Sequence, residues 1–302
     1  MTAPADQSTF EYALAKVAEH FMDVMYFDLS RYLIAAGLLT AFLLVVRKWA
    51  GNRRIQKRSA GRQDYVREIA SSLRTVFVFG VTTLTTLVGT EVGIIKLNIE
   101  NAALITIIWQ FALIVVLHDA YFYWIHRAMH SKRLFRATHL HHHKSRTPTP
   151  WAAYSFSSWE AMLEAAFMPL FLLATSLLGI AYAGFAVFLF LWHMIIRNVM
   201  AHAGHELFPA GWVDNPLTDW ISTTTHHDLH HSEGHNYGFY FTWWDRWMGT
   251  EHPEYKARFR EVAKPLVISH TLAGRTSIVA MALVTSIAVL AGPFAGVEAG
   301  MI

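Results

Sequence analysis

The chain has 302 residues, 54% of them apolar and only 16% charged, with a mean hydropathy of +0.28, which is too apolar for an ordinary soluble domain. A net charge of +3, scattered along the chain, excludes a nucleic-acid surface, and the lack of any cysteine excludes disulfides, thiolate zinc sites and iron–sulfur clusters. The opening MTAPADQSTFEYALAKVAEHF has no basic region followed by an apolar run, so no secretory signal is expected, and no repeat or low-complexity tract is present.

In chain order, the apolar runs read as membrane spans. Residues 32–46 (YLIAAGLLTAFLLVV) are uncharged up to Arg47-Lys48, and 75–90 (TVFVFGVTTLTTLVGT) are uncharged between Arg74 and Glu91. Residues 102–117 (AALITIIWQFALIVVL) carry Gln110 as their one strongly polar side chain. No charge occurs between Glu164 and Arg197, and 276–297 form a last uncharged stretch. A bilayer core takes about 20 apolar residues per helix, so several of these runs need their flanks to cross. The alternative, a soluble protein with deeply buried helices, fits the run lengths poorly.

Between the first two runs lie Arg47, Lys48, Arg53, Arg54, Lys57, Arg58, Arg62 and Arg67. The positive-inside rule places this loop in the cytoplasm. The second run then leads outward and the third returns, so residues 121–126 are expected on the cytoplasmic side. A hairpin over 161–200 puts His202 and residues 226–231 there too, whereas a single span puts them across the bilayer. The run 276–297 then carries the C-terminus outward.

The histidines are concentrated: 18 in all, 15 of them from His118 to His235. His126 and His130 are spaced i, i+4. His139, His142 and His143 are spaced i, i+3, i+4, and His227, His230 and His231 repeat that spacing. On a helix such positions share a face, so each group is expected to aim its rings at one point. Neutral imidazole ligates zinc, copper, iron and nickel, and one tetrahedral ion takes about four ligands. Eight well-spaced rings therefore suit two ions. A lone histidine would read as a solvated loop residue, but three such groups do not.

HDAYFYWIHRAMH (118–130), HLHHH (139–143), HAGHELFP (202–209) and HHDLHHSEGHNYGFYFTWWDRWMGTEHP (226–253) resemble the fatty acid hydroxylase/sterol desaturase superfamily. The resemblance covers roughly residues 100–255 and is strengthened by TPTPWAAYSF after the second box. It implies an all-α integral membrane helical bundle with a cytoplasmic histidine-rich cap holding a di-metal centre. The chain divides accordingly into an N-terminal transmembrane region (1–100), a catalytic region (101–255) and a C-terminal segment with one further transmembrane helix (256–302). Carried over residue by residue, the implied metal ligands are His126, His130, His139, His142, His143, His202, His227, His230 and His231, with no catalytic residue beyond them. His202 ranks above His205, which stands where the family often has an aromatic. His118, His141, His226 and His235 are left as reserves, and His20, His193, His252 and His270 read as structural or surface.

The resemblance further implies two non-haem irons, O2 as co-substrate and a lipid substrate drawn from the membrane. Imidazole removes no hydrogen from an unactivated C–H bond, so the chemistry belongs to metal and oxygen. Abstraction with oxygen rebound gives an alcohol, and loss of a second hydrogen gives an alkene. Lacking a cysteine cluster, a phosphate-binding glycine loop or a spare cofactor domain, the chain needs an external ferredoxin or cytochrome-type electron donor. Asp119, Glu206 and Asp228, beside the boxes, are candidates to orient ligating rings, or are plain solvated charges. Trp151, Trp243, Trp244 and Trp247 read as interfacial anchors more than as substrate-access residues.

Three rivals explain less. A membrane haem protein leaves most of the rings unused. A zinc protease wants His-Glu-x-x-His, and HELFP at 205–209 lacks the second histidine. A metal transporter places its ligands near the bilayer midplane, not beyond the span ends. The termini and the missing cysteine suggest a bacterial inner membrane as the location.

Overall fold

A computed structural model describes residues 9–98 and 102–263. The expected last span, 276–297, lies outside them, as does His270. The described chain is mostly helical: α1 Thr9–Val45, α2 Arg47–Asn52, α3 Arg62–Glu91, α4 Leu104–Met129, α5 Phe135–Thr138, α6 Ser158–Ala165, α7 Phe167–Leu177, α8 Gly184–Ala201, α9 Thr224–Glu233, α10 Trp243–Met248 and α11 Tyr255–Val262. Two short strands, β1 Leu97–Asn98 and β2 Tyr182–Ala183, pair in parallel.

Among the described residues, five stretches are long and apolar enough to cross a membrane: Leu14–Val45, Arg62–Glu91, Leu104–Met129, Ser158–Leu177 and Gly184–Ala201. The helices overrun the uncharged runs at their ends. α1 alone is 37 residues, about 55 Å at 1.5 Å per residue, against a hydrocarbon core of about 30 Å. Outward faces are apolar, as lipid contact demands: Leu38, Phe77, Ile108, Leu113, Leu170 and Phe185 are all exposed.

Residues 158–201 form a hairpin. α6 and α7 descend with a break at Ala166, three residues before Pro169, whose missing N–H and ring disfavour an unbroken helix. Gln110 fastens the hairpin tip. Its amide donates to the Ala181 carbonyl (3.2 Å) and its oxygen accepts from Ala183 N (2.7 Å), so the one polar side chain of that run satisfies backbone groups that lipid cannot. Ser176 Oγ accepts from Lys96 N nearby (2.8 Å).

The opposite ends of the spans gather at one face. There the basic loop runs antiparallel to 204–206: Glu206 N donates to Arg53 O (2.8 Å), Ile55 N to Gly204 O (3.2 Å), and Arg53 Nε to Glu206 O (2.7 Å). Gly204 sits at φ +66, and a Cβ there would stand 3.0 Å from the Pro148 carbonyl. The bundle core joins α1 and α3 to α8 through Tyr32, Phe79, Tyr154 and Trp192, and reaches Tyr255 and Phe259 of α11. A second core packs α4 against α7 and α8 through Ile114, Phe171 and Phe190.

Because the chain has no cysteine, single introduced thiols test the topology cleanly. Ser131→Cys and Ser232→Cys, at the histidine face, are expected to label from the same side of the membrane, and Leu178→Cys, at the hairpin tip, from the other. Opposite labelling of Ser131→Cys and Ser232→Cys would break the bundle as described.

Candidate metal centre

Each histidine group owes its position to local backbone chemistry. α4 carries His126 and ends at His130, whose N–H caps onto the His126 carbonyl (3.1 Å). α9 starts at Thr223, whose hydroxyl accepts from His226 N, and ends at Gly234 in the left-handed conformation, its N–H on the His230 carbonyl. His202 caps α8. The middle group departs from the expected helix. His139 follows the single turn α5, and His142–Lys144 form a 3-10 turn, with His143 N reaching the His139 carbonyl at 3.3 Å.

All nine expected rings meet in one nest, but not as one point per group. His126, His130, His139 and His230 bring ligand nitrogens within 4.8 Å of one another, and His142, His202, His227 and His231 do the same beside them. The second and third boxes are therefore divided between two centres. His143 lies at the junction: its Nε2 is 3.2 Å from that of His130 and 3.0 Å from that of His230, and its ring centroid is 5.1 Å from that of His231. His205 falls outside both groups, its Nδ1 on the Ala203 carbonyl (2.9 Å).

The ring nitrogens are polarised by what they touch. His126 Nδ1 faces the Tyr237 carbonyl (2.9 Å), His202 Nδ1 the Asn198 carbonyl (2.8 Å) and His230 Nδ1 the His235 carbonyl (2.7 Å). A carbonyl only accepts, so each Nδ1 carries the proton and each Nε2 presents a lone pair. His139 Nδ1 lies 2.7 Å from Glu160 Oε1 and follows the same pattern. The lone pairs converge: His126 Nε2 is 2.9 Å from His139 Nε2, and His202 Nε2 is 3.2, 3.0 and 3.1 Å from those of His142, His227 and His231. Facing lone pairs repel unless a cation lies between them. Metal–nitrogen bonds of about 2.0–2.1 Å, opened to roughly 90–100°, place ligand nitrogens about 2.9–3.2 Å apart. The donor set thus fits two closely spaced ions.

Burial supplies the protonation state. It holds His139, His142, His227, His230 and His231 well below the ordinary histidine range, with neighbouring rings adding to the effect, and lowers His143 and His202 to about 4. Neutral imidazole, the ligating form, is therefore the resting form at pH 7.

The carboxylates divide their work differently from the expectation. Asp119 accepts from Tyr240 N, Phe241 N and Trp243 Nε1, Glu206 from Thr225 and Phe208, and Asp228 from Gln56. They hold backbone and loops, not ligating rings. Glu160 orients His139, and it went unforeseen because no box includes it. The NYG and WWDR segments act at one remove. Asp245 accepts from Tyr237 N and Gly238 N (both 2.8 Å) and fixes the carbonyl that polarises His126. A Cβ at Gly238 would stand 2.5 Å from the Phe241 carbonyl, so glycine is required there. Asn236 ties His226 O to His252 N.

Of the reserve histidines, His118 is caged by Phe167, Phe190 and Phe239, His141 meets Ser71 Oγ (2.7 Å) and His226 meets Asp245 (3.3 Å). His235 meets the nest through its carbonyl, while its ring packs on His252 (5.0 Å). Trp151 packs inside against Tyr32, and Trp247 is exposed. On the bilayer side of the nest, α4, α6 and α8 enclose a cavity walled by Phe122, Phe156, Phe239, Asn198, Glu160 and Glu164 together with five of the nine rings.

Two outcomes follow. Unfolded histidines take up protons near pH 6.5 while the folded rings stay neutral, so the unfolded state binds more protons below that pH and stability falls as pH drops through it. One such group is worth about 1.4 kcal/mol per pH unit, a shift of roughly 2–4 °C in a domain of this size. The metal-free protein is expected to melt lower at pH 5.5 than at pH 7.5, and an equal or higher Tm at pH 5.5 would contradict neutral burial. Glu160→Ala is expected to weaken metal retention by about 10–100-fold, with Glu160→Gln, which keeps an accepting oxygen, losing less; titration with a competing chelator reads both.

The fatty acid hydroxylase family model matches residues 111–250, which contain all nine rings. Over 249 residues the chain is 26% identical to a Delta(7)-sterol 5(6)-desaturase of Gibberella zeae, covering 80% of this chain and 74% of that protein. It is 32% identical over 162 residues to a methylsterol monooxygenase of Aspergillus fumigatus, covering 52% of each. It is 31% identical over 137 residues to a lathosterol oxidase of Mus musculus, covering 45% and 42%. The last two matches thus span about half or less of those proteins. No solved structure gives a significant match. Residues 111–250 thus match the fatty acid hydroxylase family model, and the chain is similar to sterol desaturases and to a methylsterol monooxygenase.

Proposed function

We propose that this protein is a membrane-bound non-haem di-iron oxygenase that hydroxylates or desaturates a lipid C–H bond, with 101–255 as its catalytic segment. The observation that carries this reading is the convergence of Nε2 lone pairs, held inward by Nδ1 contacts to three carbonyls and one carboxylate. Eight neutral rings in two adjoining groups, with His143 between them, exceed what one ion, one haem or a transport site would use.

The proposed ligands are His126, His130, His139 and His230 for one iron and His142, His202, His227 and His231 for the other, with His143 between them. The irons supply O2 activation and hydrogen abstraction, which no side chain here can perform. The chain contributes the rest. Carbonyls and Glu160 hold the rings in one tautomer. The phenylalanine walls line a small cavity next to the nest, which must widen to receive an apolar substrate. The relatives act on sterols by their names, so a sterol or a similarly rigid lipid is the substrate class proposed.

The basic loop 47–67 lies on the same face as the nest, which supports a cytoplasmic site by the positive-inside rule. An external ferredoxin or cytochrome-type protein is proposed to deliver electrons at that face. The three relatives named above are fungal and mammalian and lend the expected bacterial membrane no support.

His142→Ala and His230→Ala, one from each group, are each expected to insert in membranes, lower iron content and reduce turnover at least 100-fold, whereas His205→Ala retains both. Mass spectrometry of extracted lipids is expected to show a gain of 16 or a loss of 2 mass units, dependent on O2. Normal turnover in either ligand variant would reject the assignment.

A further inference from the structure

Five of the nine rings, His126, His130, His139, His142 and His143, pack against phenylalanine. The cavity walls are Phe122, Phe156 and Phe239, and Phe135 packs on His130 and His143. Phenylalanine resists oxidation. Among the described residues, one readily oxidised ring meets the nest. Tyr237 lies outside the cavity lining, with its centroid 5.0 Å from His130 and 5.8 Å from His126 and from His230.

From Tyr237 an unbroken file of tyrosine and tryptophan runs outward. Tyr123 is 6.4 Å from Tyr237, Trp244 stacks on Tyr123 at 5.7 Å and 19°, and Trp247 is 5.4 Å from Trp244 and 66% exposed. These spacings are those of rings in contact. The Tyr123 phenol has a directed proton route. Arg127 Nη1 donates to its oxygen (3.1 Å), so its own proton points to Thr250 Oγ1 (3.0 Å), and the Thr250 hydroxyl donates to Asp245 Oδ1 (2.7 Å). Simple packing requires neither an oxidisable file reaching the surface nor a carboxylate at the end of a one-way hydrogen-bond chain.

We propose that Tyr237, Tyr123, Trp244 and Trp247 form an exit for oxidising equivalents generated at the histidine site when no substrate C–H bond occupies the cavity. The proposal rests on the oxygenase reading above. Tyr123 gives one electron to the site across the Tyr237 ring. Its phenolic proton passes to Thr250 as the Thr250 proton passes to Asp245. The tyrosyl radical then takes an electron from Trp244 and regains a proton along the same route. Trp244 is refilled by Trp247, and the Trp247 radical cation is reduced at the surface by a one-electron reductant of the ascorbate class. Each passage moves one electron inward, oxidises one reductant by one electron and leaves the four side chains unchanged. Damage is thereby kept from the ligating rings.

The test uses the full iron-loaded protein in lipid nanodiscs, without lipid substrate, challenged with hydrogen peroxide and frozen rapidly for electron paramagnetic resonance. An organic radical is expected whose spectrum narrows with ring-deuterated tyrosine, decays faster with ascorbate and falls at least 10-fold in Tyr123→Phe. Peptide mass spectrometry is expected to find oxygen added at Trp244 and Trp247 in the parent protein, and at histidine ligands instead in Tyr123→Phe. Trp247→Phe, at an exposed position, is a second variant that preserves the interior and is expected to prolong the tyrosyl signal. Initial lipid turnover should be unchanged in both variants, while turnovers before inactivation drop several-fold. A radical and a product map indifferent to both substitutions would overturn the exit while leaving the oxygenase intact. A parent protein that oxidises no lipid would instead remove the reading on which the exit rests.

Discussion

The structure turns on a small electrostatic constraint: a backbone carbonyl accepts and never donates. Because Tyr237, Asn198 and His235 each set a carbonyl against an imidazole Nδ1, three rings from different parts of the chain must point bare lone pairs at neighbouring rings of the nest. Left alone, that arrangement opposes folding. Cations held between the rings would remove that opposition. The loops that hold these carbonyls, with their clamps at Asp245, Asn236 and Gly238, exist to keep the constraint in place.

The membrane bundle sets the stage for that constraint and separates two solvents. Its outward faces are apolar, and its far end satisfies stray backbone groups with Gln110 and Ser176. At the near end the spans deliver His126, His202 and Glu160 to one level, and the basic loop stitches onto 204–206 beside them. The small cavity between α4, α6 and α8 sets phenylalanine walls directly against the polar nest.

Much of this was legible in the residues. Uncharged runs mark the span centres because hydration of charge is what lipid forbids. They do not mark the ends, since α1 starts at Thr9, well before the run at Tyr32, and helices continue past the bilayer without penalty. The histidine spacing marks the donors. It does not show how the boxes divide, because the i, i+3, i+4 rule assumes a regular helix, and His139–His143 instead bend through a turn and a 3-10 segment. Glu160 was invisible, being 21 residues from the ring it orients, and the polarising carbonyls belong to no residue type. Asp119, Glu206 and Asp228 misled because adjacency in sequence to a ligand says nothing about which way a side chain turns.

The division of the boxes also sets an order of biogenesis. One centre draws on α4, the turn at 139 and α9; the other on the 3-10 turn at 142, the cap of α8 and α9. α9 is the last of these to leave the ribosome, and neither centre is complete without it. A nascent chain stalled before residue 227 lacks the α9 donors of both groups and holds no cage. Capture of metal by these groups would thereby wait until the hairpin has been made, so the proposed centre would not mature in a half-built protein.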